Sequence, residues 1–245
     1  MATHTIYLPE LKSKASTTGS GGSARVVVEG EEAHHAARVK RLEVGDAVRL
    51  CDGKGGVADG KLVDIRKEKR SGEWVVEVEA PEVRQVERPR PLVRVYSAVP
   101  KGDGLGQMID GLSQVGAASW APLVSRRSVV EPREGKLKRL ERVAEEALKQ
   151  SGREWLLEIG EGVELGVLLG SGAKLVVADG TGEAYAGDGD AGEVSLLIGP
   201  EGGWDDRELA AMREGGVRVA NFGPHVMRIE VAAVVCAARV WSGGR

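Results

Sequence analysis

The chain has 245 residues, a formal net charge of −3 and 35 glycines, with 29% charged and only 4% aromatic side chains. That length accommodates one large domain or two ordinary ones, and no apolar run approaches the ~18 residues that a membrane span needs. Residues 1–5 lack a basic stretch leading into an apolar one, so no secretory leader is expected. Cys51 and Cys236 lie in apolar surroundings in different halves and are expected as buried, reduced residues of a cytoplasmic protein.

Charge is spread unevenly. Residues 1–90 are close to neutral, 126–153 carry nine basic against five acidic side chains, and the remainder is acidic. Concentrated positive charge can bind phosphate groups even in an acidic chain. The same residues also suit a solvated helix face with i,i+4 ion pairs.

Taken in order, residues 13–24 are rich in Ser, Thr and Gly and read as a flexible loop. Short β-like runs follow at Arg25–Val28, Ala47–Cys51, Val57–Ile65 and Glu73–Glu79, several of them separated by Gly-Asp, Asp-Gly or Gly-Gly turns. One short helix, Glu31–Leu42, lies between the first two and ends by Gly45. This pattern predicts a small β-barrel-like module over residues 1–84. His34 and His35 would diverge on a helix and have no ligand-spaced Cys or carboxylate beside them, so no metal site is expected. With Arg38, Lys40 and Arg41 close by, the pair suits an RNA contact or a plain structural role.

Residues 85–91 are polar and proline-punctuated and read as a linker. Beyond them strands and helices alternate. Strands are predicted at Leu92–Val99, Trp120–Val124, Lys174–Ala178, Val194–Ile198 and Val217–Phe222, and helices at Leu105–Val115, Lys136–Gln150 and Val226–Trp241. Such alternation argues an α/β domain with a mostly parallel sheet over 92–245. The last helix is apolar nearly all round, so it belongs inside the domain or between subunits. Gly182–Gly192 lacks the EF-hand ligand pattern and reads as a surface loop.

Two glycine loops stand out near the end. Val194–Ile198 stops at Gly199-Pro200-Glu201-Gly202-Gly203-Trp204, and Asp205 with Glu208 forms a capping-box signature. Asn221-Phe222-Gly223-Pro224 is a second strand-end loop leading toward a helix. Loops of this kind bind ligands at the carboxyl ends of strands in α/β sheets. Their glycines let backbone approach a small polar ligand closely. No Walker A loop, G-x-G-x-x-G, serine elbow, H-E-x-x-H or C-x-x-C occurs, which disfavours phosphoryl transfer, zinc hydrolysis and thiol redox chemistry. Arg228 and Glu230 are the only charges between Val226 and Ala238, and two residues apart on a helix they project to nearly opposite sides.

Gly-Pro-Glu-Gly-Gly at 199–203, followed by Phe-Gly-Pro-x-Val-Met-Arg-x-Glu-x-Ala at 222–232, resembles the C-terminal signature of the ribosomal RNA small-subunit methyltransferase E family, which is SPOUT-class. Lys101, Trp120-Ala-Pro-Leu, Arg127-Ser128 and Glu146–Arg153 agree with it, and His35, Arg38-Val39 and Gly45-Asp46 are similar to the family's PUA-like barrel. The resemblance implies S-adenosylmethionine-dependent methylation of N3 of a uridine in 16S rRNA of the small ribosomal subunit. It also implies a homodimer with a trefoil knot in about 174–241, and no membrane or metal partner. Carried over by position, the cofactor would lie against Ala178-Asp179-Gly180, Ile198-Gly199-Pro200-Glu201-Gly202-Gly203, and Phe222, Gly223, Val226 and Met227. Ile198, Val226 and Met227 would supply apolar walls. Arg228 would stabilise a uridine anion, with Glu230 orienting it or accepting a proton. His35, Arg38, Arg126, Arg127 and Arg153 would contact RNA. The family's Arg-Thr-Glu-Thr-Ala is Arg228-Ile229-Glu230-Val231-Ala232 here, and a lysine and a glutamate of its first helix are replaced by Gly111 and Gln114. Those departures motivate an alternative, an RNA-binding homologue that keeps the fold with weakened catalysis.

Overall fold

The computed structural model describes residues 4–15, 24–80, 82–128, 134–187 and 192–242. They form two compact units: one of residues up to Arg88 together with Leu148–Leu156, the other of Pro89–Ala147 and the residues from Leu157 onward.

In the first unit, strand β1 is His4–Tyr7, β2 Ala24–Val28, β3 Ala47–Cys51, β4 Gly56–Lys67, β5 Trp74–Ala80 and β6 Arg84–Gln85. They hydrogen-bond in the order β1-β3-β4-β5-β2, with β6 added to β4. All pairs are antiparallel except β1 with β3. Alternation puts one face of each strand inward, so that Val26, Val28, Val48, Leu50, Val76 and Val78 join Ile6 and Leu11 in one core. Among the described residues no ladder joins β1 to β2. The sheet is therefore open where the sequence pattern suggested a barrel. β1 and the short helix α1, Leu11–Lys14, were not expected, and most of the loop expected at 13–24 lies outside the described residues.

The helix expected at Glu31–Leu42 is also shorter. It runs as α2, Gly30–His34, and then widens into a π-helical turn over His35–Val39, closed by Lys40 N–H on the His35 carbonyl at 3.0 Å. Arg41 follows in the left-handed region at φ 53°, rare for a non-glycine residue. The surplus turn residue and this reversal end the helix three residues early.

Residues 148–156 complete the first unit. The Asp52 carboxylate accepts the Lys54 and Gly56 amides and shapes the 52–56 loop. Against that loop, the Gly55 amide donates to Glu154 O and the Leu156 amide to Gly53 O. Lys149 Nζ meets Glu32 Oε1 at 2.7 Å in a mostly buried pair. The 85–91 stretch is anchored at its start, where the Val86 amide donates to Gly55 O and Arg88 lies over the Trp155 ring.

The second unit is a seven-stranded sheet. Its strands are β7 Leu92–Ser97, β8 Ser119–Val124, β9 Glu158–Ile159, β10 Val163–Glu164, β11 Leu175–Ala184, β12 Glu193–Ile198 and β13 Arg218–Asn221. The order is β10-β8-β7-β12-β11-β13, with β9 on β8, and every pairing is parallel. A sheet buried on both faces explains the continuous apolar runs: Val194–Ile198 is buried at every position. Helices α3 Gly104–Gln114, α4 Glu134–Ser151, α5 Leu165–Leu169, α6 Asp206–Glu214 and α7 Ile229–Ser242 connect the strands. Buried Trp120 donates to Ser97 Oγ at 2.8 Å, so the largest core side chain leaves no polar atom unpaired. Helices α3 and α7 pack tightly at Gly111, where an added Cβ would stand 2.7 Å from Val234 Cγ2. A larger residue at Gly111 would force Val234 to shift. No helix among the described residues is long and apolar enough to cross a membrane.

Two predicted boundaries move. β11 continues past Ala178 through Ala184, so Gly182, Glu183 and Ala184 belong to a strand rather than to a surface loop; residues 188–191 of that loop lie outside the described residues. The extension is possible because β11 bulges: Ala178 and Glu183 both face Ala220 across the ladder. The last helix begins at Ile229, so Val226, Met227 and Arg228 are loop.

Candidate functional site

Parallel strands deliver their carboxyl ends to one edge of the sheet, and β7, β12, β11 and β13 are consecutive there. The three segments expected to hold a cofactor all start on that edge: Ala178-Asp179-Gly180 at the bulge of β11, Ile198–Gly203 after β12, and Phe222–Arg228 after β13.

The middle segment is the most firmly built. Pro200 O accepts from Gly203 N–H at 2.9 Å in a tight turn, and Gly203 sits at φ 71°, where L-residues are strained. Trp204, 5% exposed, folds back over Gly199 so closely that a Cβ there would lie 2.8 Å from the indole. The same indole donates through Nε1 to Ala178 O at 3.2 Å, which ties the β11 bulge to the loop after β12. Asp205 then starts α6 with the capping box the sequence announces: its side chain accepts from Arg207 N at 3.0 Å, and Glu208 Oε2 accepts from Asp205 N at 3.1 Å. Lys101, just past β7, pairs with Glu201 at 3.2 Å.

At the β11 bulge the Asp179 carboxylate accepts from Thr181 N and Oγ1. Gly182 is where backbones nearly touch, since a Cβ would stand 2.4 Å from Val219 O. The third segment is anchored at its base. Phe222 stacks on Tyr185 at 4.5 Å, and Arg239 from α7 donates to Phe222 O at 2.8 Å and Tyr185 O at 3.1 Å. Further on, Met227 is half-buried, Arg228 exposed and Val226 fully exposed. Val226 therefore lines no cavity of the single chain, whereas Ile198 is buried as a wall residue should be.

Arg228 precedes the first turn of α7, and its carbonyl accepts from Ala232 N at 2.8 Å. The expectation that Arg228 and Glu230 project from one helix is corrected, because only Glu230 is on it. Glu230 is half-buried and faces the start of α3: a Cβ on Gly104 would be 3.2 Å from its carboxyl carbon.

The residues expected to meet RNA divide between the units. His35 and Arg38 lie on the π-helical turn of the first, with the His35 ring stacked 6.2 Å from His4. Burial, then the charges of Lys40, His35 and Lys149, hold His4 below the usual histidine range. Arg153 is half-buried in the same unit, and burial followed by Arg88 pushes its guanidinium down to about 10. Arg126 and Arg127 sit on the turn after β8 in the second unit, Arg126 3.7 Å from Asp205. Among the described residues no three His, Cys, Asp or Glu side chains gather as a metal site. Burial pushes the free thiols of Cys51 and Cys236 up to about 11 and about 12, which favours the protonated form of both.

Trp204, Arg239 and Gly182 were not singled out by the sequence. A tryptophan directly after Gly-Gly in an aromatic-poor chain, and a lone cation late in an apolar helix, are the signals that could have found the first two.

A family profile described as an RNA methyltransferase domain matches residues 87–241, and one described as an RNA methyltransferase PUA domain matches 28–71. The ribosomal RNA small subunit methyltransferase E of Synechocystis is 30% identical over 227 residues, 89% of this chain and 73% of that protein. That of Mycobacterium bovis is 30% identical over 86% of this chain and 84% of its own length. Among solved structures, a ribosomal RNA small subunit methyltransferase E from Neisseria gonorrhoeae, bound to S-adenosyl methionine, superposes with TM-score 0.81 at 20% identity, covering 99% of this chain and 98% of that one. A methyltransferase from Legionella pneumophila, solved with SAM, gives 0.79 at 22% identity over 100% and 99%. At these identities the structural likeness establishes a shared fold.

Proposed function

This chain belongs to the ribosomal RNA small subunit methyltransferase E family, and from that premise we propose that it methylates N3 of a uridine in 16S rRNA, using S-adenosylmethionine. The observation that carries the reading is the Trp204 indole, which packs on Gly199 and bonds Ala178 O, gathering two of the three carboxyl-edge segments into one support. The site suits a ligand gripped by main chain. A Cβ at Gly180, Gly203 or Gly223 would meet nothing within 4 Å, so bare backbone faces open space on each segment. Buried Ile198 and Phe222 add apolar surface beside it.

S-adenosylmethionine, when bound, supplies a methyl group already activated by its sulfonium. The chain then has to hold the uridine in line and deal with the N3 proton. Arg228, exposed at the entry to α7, offers its guanidinium to the negative charge that develops on the base. Glu230 orients Arg228 or takes the N3 proton. His35, Arg38 and Arg153 in the first unit, with Arg126 in the second, hold phosphates. We further read the C-terminal unit as knotted in about 174–241, the first unit as PUA-like, and the active form as a cytoplasmic homodimer. The knot is supported by α7, which follows β13 at the sheet edge yet packs on β7 and β12. A second copy would cover the exposed Val226 and Val231.

The test is mass mapping of small-subunit rRNA from cells lacking the gene, with purified protein added back. One methyluridine should vanish and return. An unchanged rRNA, with no heat on titrating S-adenosylmethionine, would leave the RNA-binding homologue as the reading.

A further inference from the structure

The basic turn after β8 has a second destination for its charge. Arg127 Nη1 donates to Gly202 O at 2.9 Å and to Trp204 O at 3.1 Å, and its Nη2 lies 3.9 Å from Asp205. The guanidinium thus spans both carbonyls that flank Gly203, at the point where the glycine loop reverses. We propose that Arg127 is a positioning residue that sets the shape of the Pro200–Asp205 loop, and that it is not an RNA phosphate contact.

Its base is rigid. Ser125 and Ser128 hydroxyls pair at 2.9 Å, the Ser125 amide donates to Ser128 Oγ, and Ser128 Oγ donates to Leu123 O. Glu208 joins this turn to the loop, because one carboxylate oxygen accepts from Arg126 N at 2.8 Å and the other from Asp205 N at 3.1 Å. Both bonds leave one nitrogen, Nη1, whose two hydrogens the planar guanidinium holds in fixed directions; lysine is one bond shorter and its ammonium rotates freely. The target needs holding, since Gly202 and Gly203 have the widest backbone freedom in the chain's repertoire. The side chain is half exposed, so the attraction to Asp205 is screened, and the carbonyl bonds carry the effect. Without the clamp, the ligand itself must order the loop, and its affinity falls by that cost.

The inference rests on the proposed function only in naming the ligand of the loop, and the test separates the two. Hydrogen exchange of the 201–204 amides is measured on the ligand-free full chain, for wild type, Arg127→Met and Arg127→Lys. S-adenosylmethionine affinity is measured by calorimetry, and the salt slope of binding to a small-subunit rRNA fragment by titration. Both variants should exchange these amides at least tenfold faster, bind S-adenosylmethionine about tenfold more weakly, and keep the wild-type salt slope. Unchanged exchange, or a slope lowered by ~0.7–0.9 in Arg127→Met but not in Arg127→Lys, overturns the assignment. If wild type gives no S-adenosylmethionine heat, the functional reading falls while the exchange data still decide the clamp.

Discussion

Two glycine-proline loops leave the same edge of the parallel sheet, and they are held in opposite ways. The loop after β12 is gripped along its length: Trp204 lies on Gly199, Arg127 on two carbonyls, Lys101 on Glu201, and the capping box closes its end. The loop after β13 is held at its base, by Tyr185 and Arg239 on Phe222 and by the Asn221 side chain on the Gly223 amide, while Val226 and Arg228 stand out in solvent. The first loop is preorganised by its own chain, as a binding surface for an invariant ligand should be. The second carries Arg228, the proposed catalytic cation, on an exposed segment of loop. Under the proposed function, specificity and catalysis fall on the looser loop.

The sharpest way to break this division is Arg228→Ala. If Arg228 acts on developing charge, methylation should fall by about 100-fold or more, in the range for removing one oxyanion donor, with S-adenosylmethionine affinity within about twofold of wild type. A parallel loss of cofactor affinity would mean that the second loop serves binding, and the contrast would collapse. Next in size is Gly199→Ala. The new methyl group meets the Trp204 ring at 2.8 Å, so the indole must lift and give up Ala178 O. Overpacking of this kind costs about 1–3 kcal/mol, read by chemical denaturation, and cofactor heat should drop with it.

Much of the first loop was legible in the sequence, because its determinants are local. An apolar run cut by Gly-Pro, a left-handed glycine and Asp205 three before Glu208 lie within fifteen residues. The parallel sheet was legible for a similar reason, since strands buried on both faces show as unbroken aliphatic runs. What pattern reading missed is long-range. Arg127 lies 75 positions from Gly202, Arg239 lies 54 from Tyr185, and residues 148–156 fold with a unit that otherwise ends at Arg88. The start of α7 was misplaced because Val226 and Met227 continue its apolar character in sequence, yet the backbone turns helical only at Ile229. β11 was cut short for the converse reason: Asp179-Gly180-Thr181-Gly182 reads as a turn, and only the bulge against Ala220 keeps it in the sheet.

Arg239→Met addresses the base of the second loop. It removes two charge-assisted bonds to main-chain carbonyls, worth about 1.5 kcal/mol at this partly exposed site. The expected signature is faster exchange of the amides of residues 222, 223 and 225–228 with the 201–204 amides unchanged. Equal loosening of both loops would show that they are one mechanical unit.

The smallest effect is expected at the tip. Val226→Ser exchanges one fully exposed side chain for another, so the stability of the isolated chain should stay within about 0.5 kcal/mol. Val226 is fully exposed in the single chain, next but one to the proposed catalytic arginine. If a second copy covers it, Val226→Ser weakens self-association, and sedimentation equilibrium should show a Kd raised at least threefold at unchanged monomer stability. Methylation per dimer would then be normal at high protein concentration and fall on dilution, earlier than for wild type. Identical dilution curves for the two proteins would place Val226 outside any subunit contact, and the openness of the second loop would then have to be explained by the RNA.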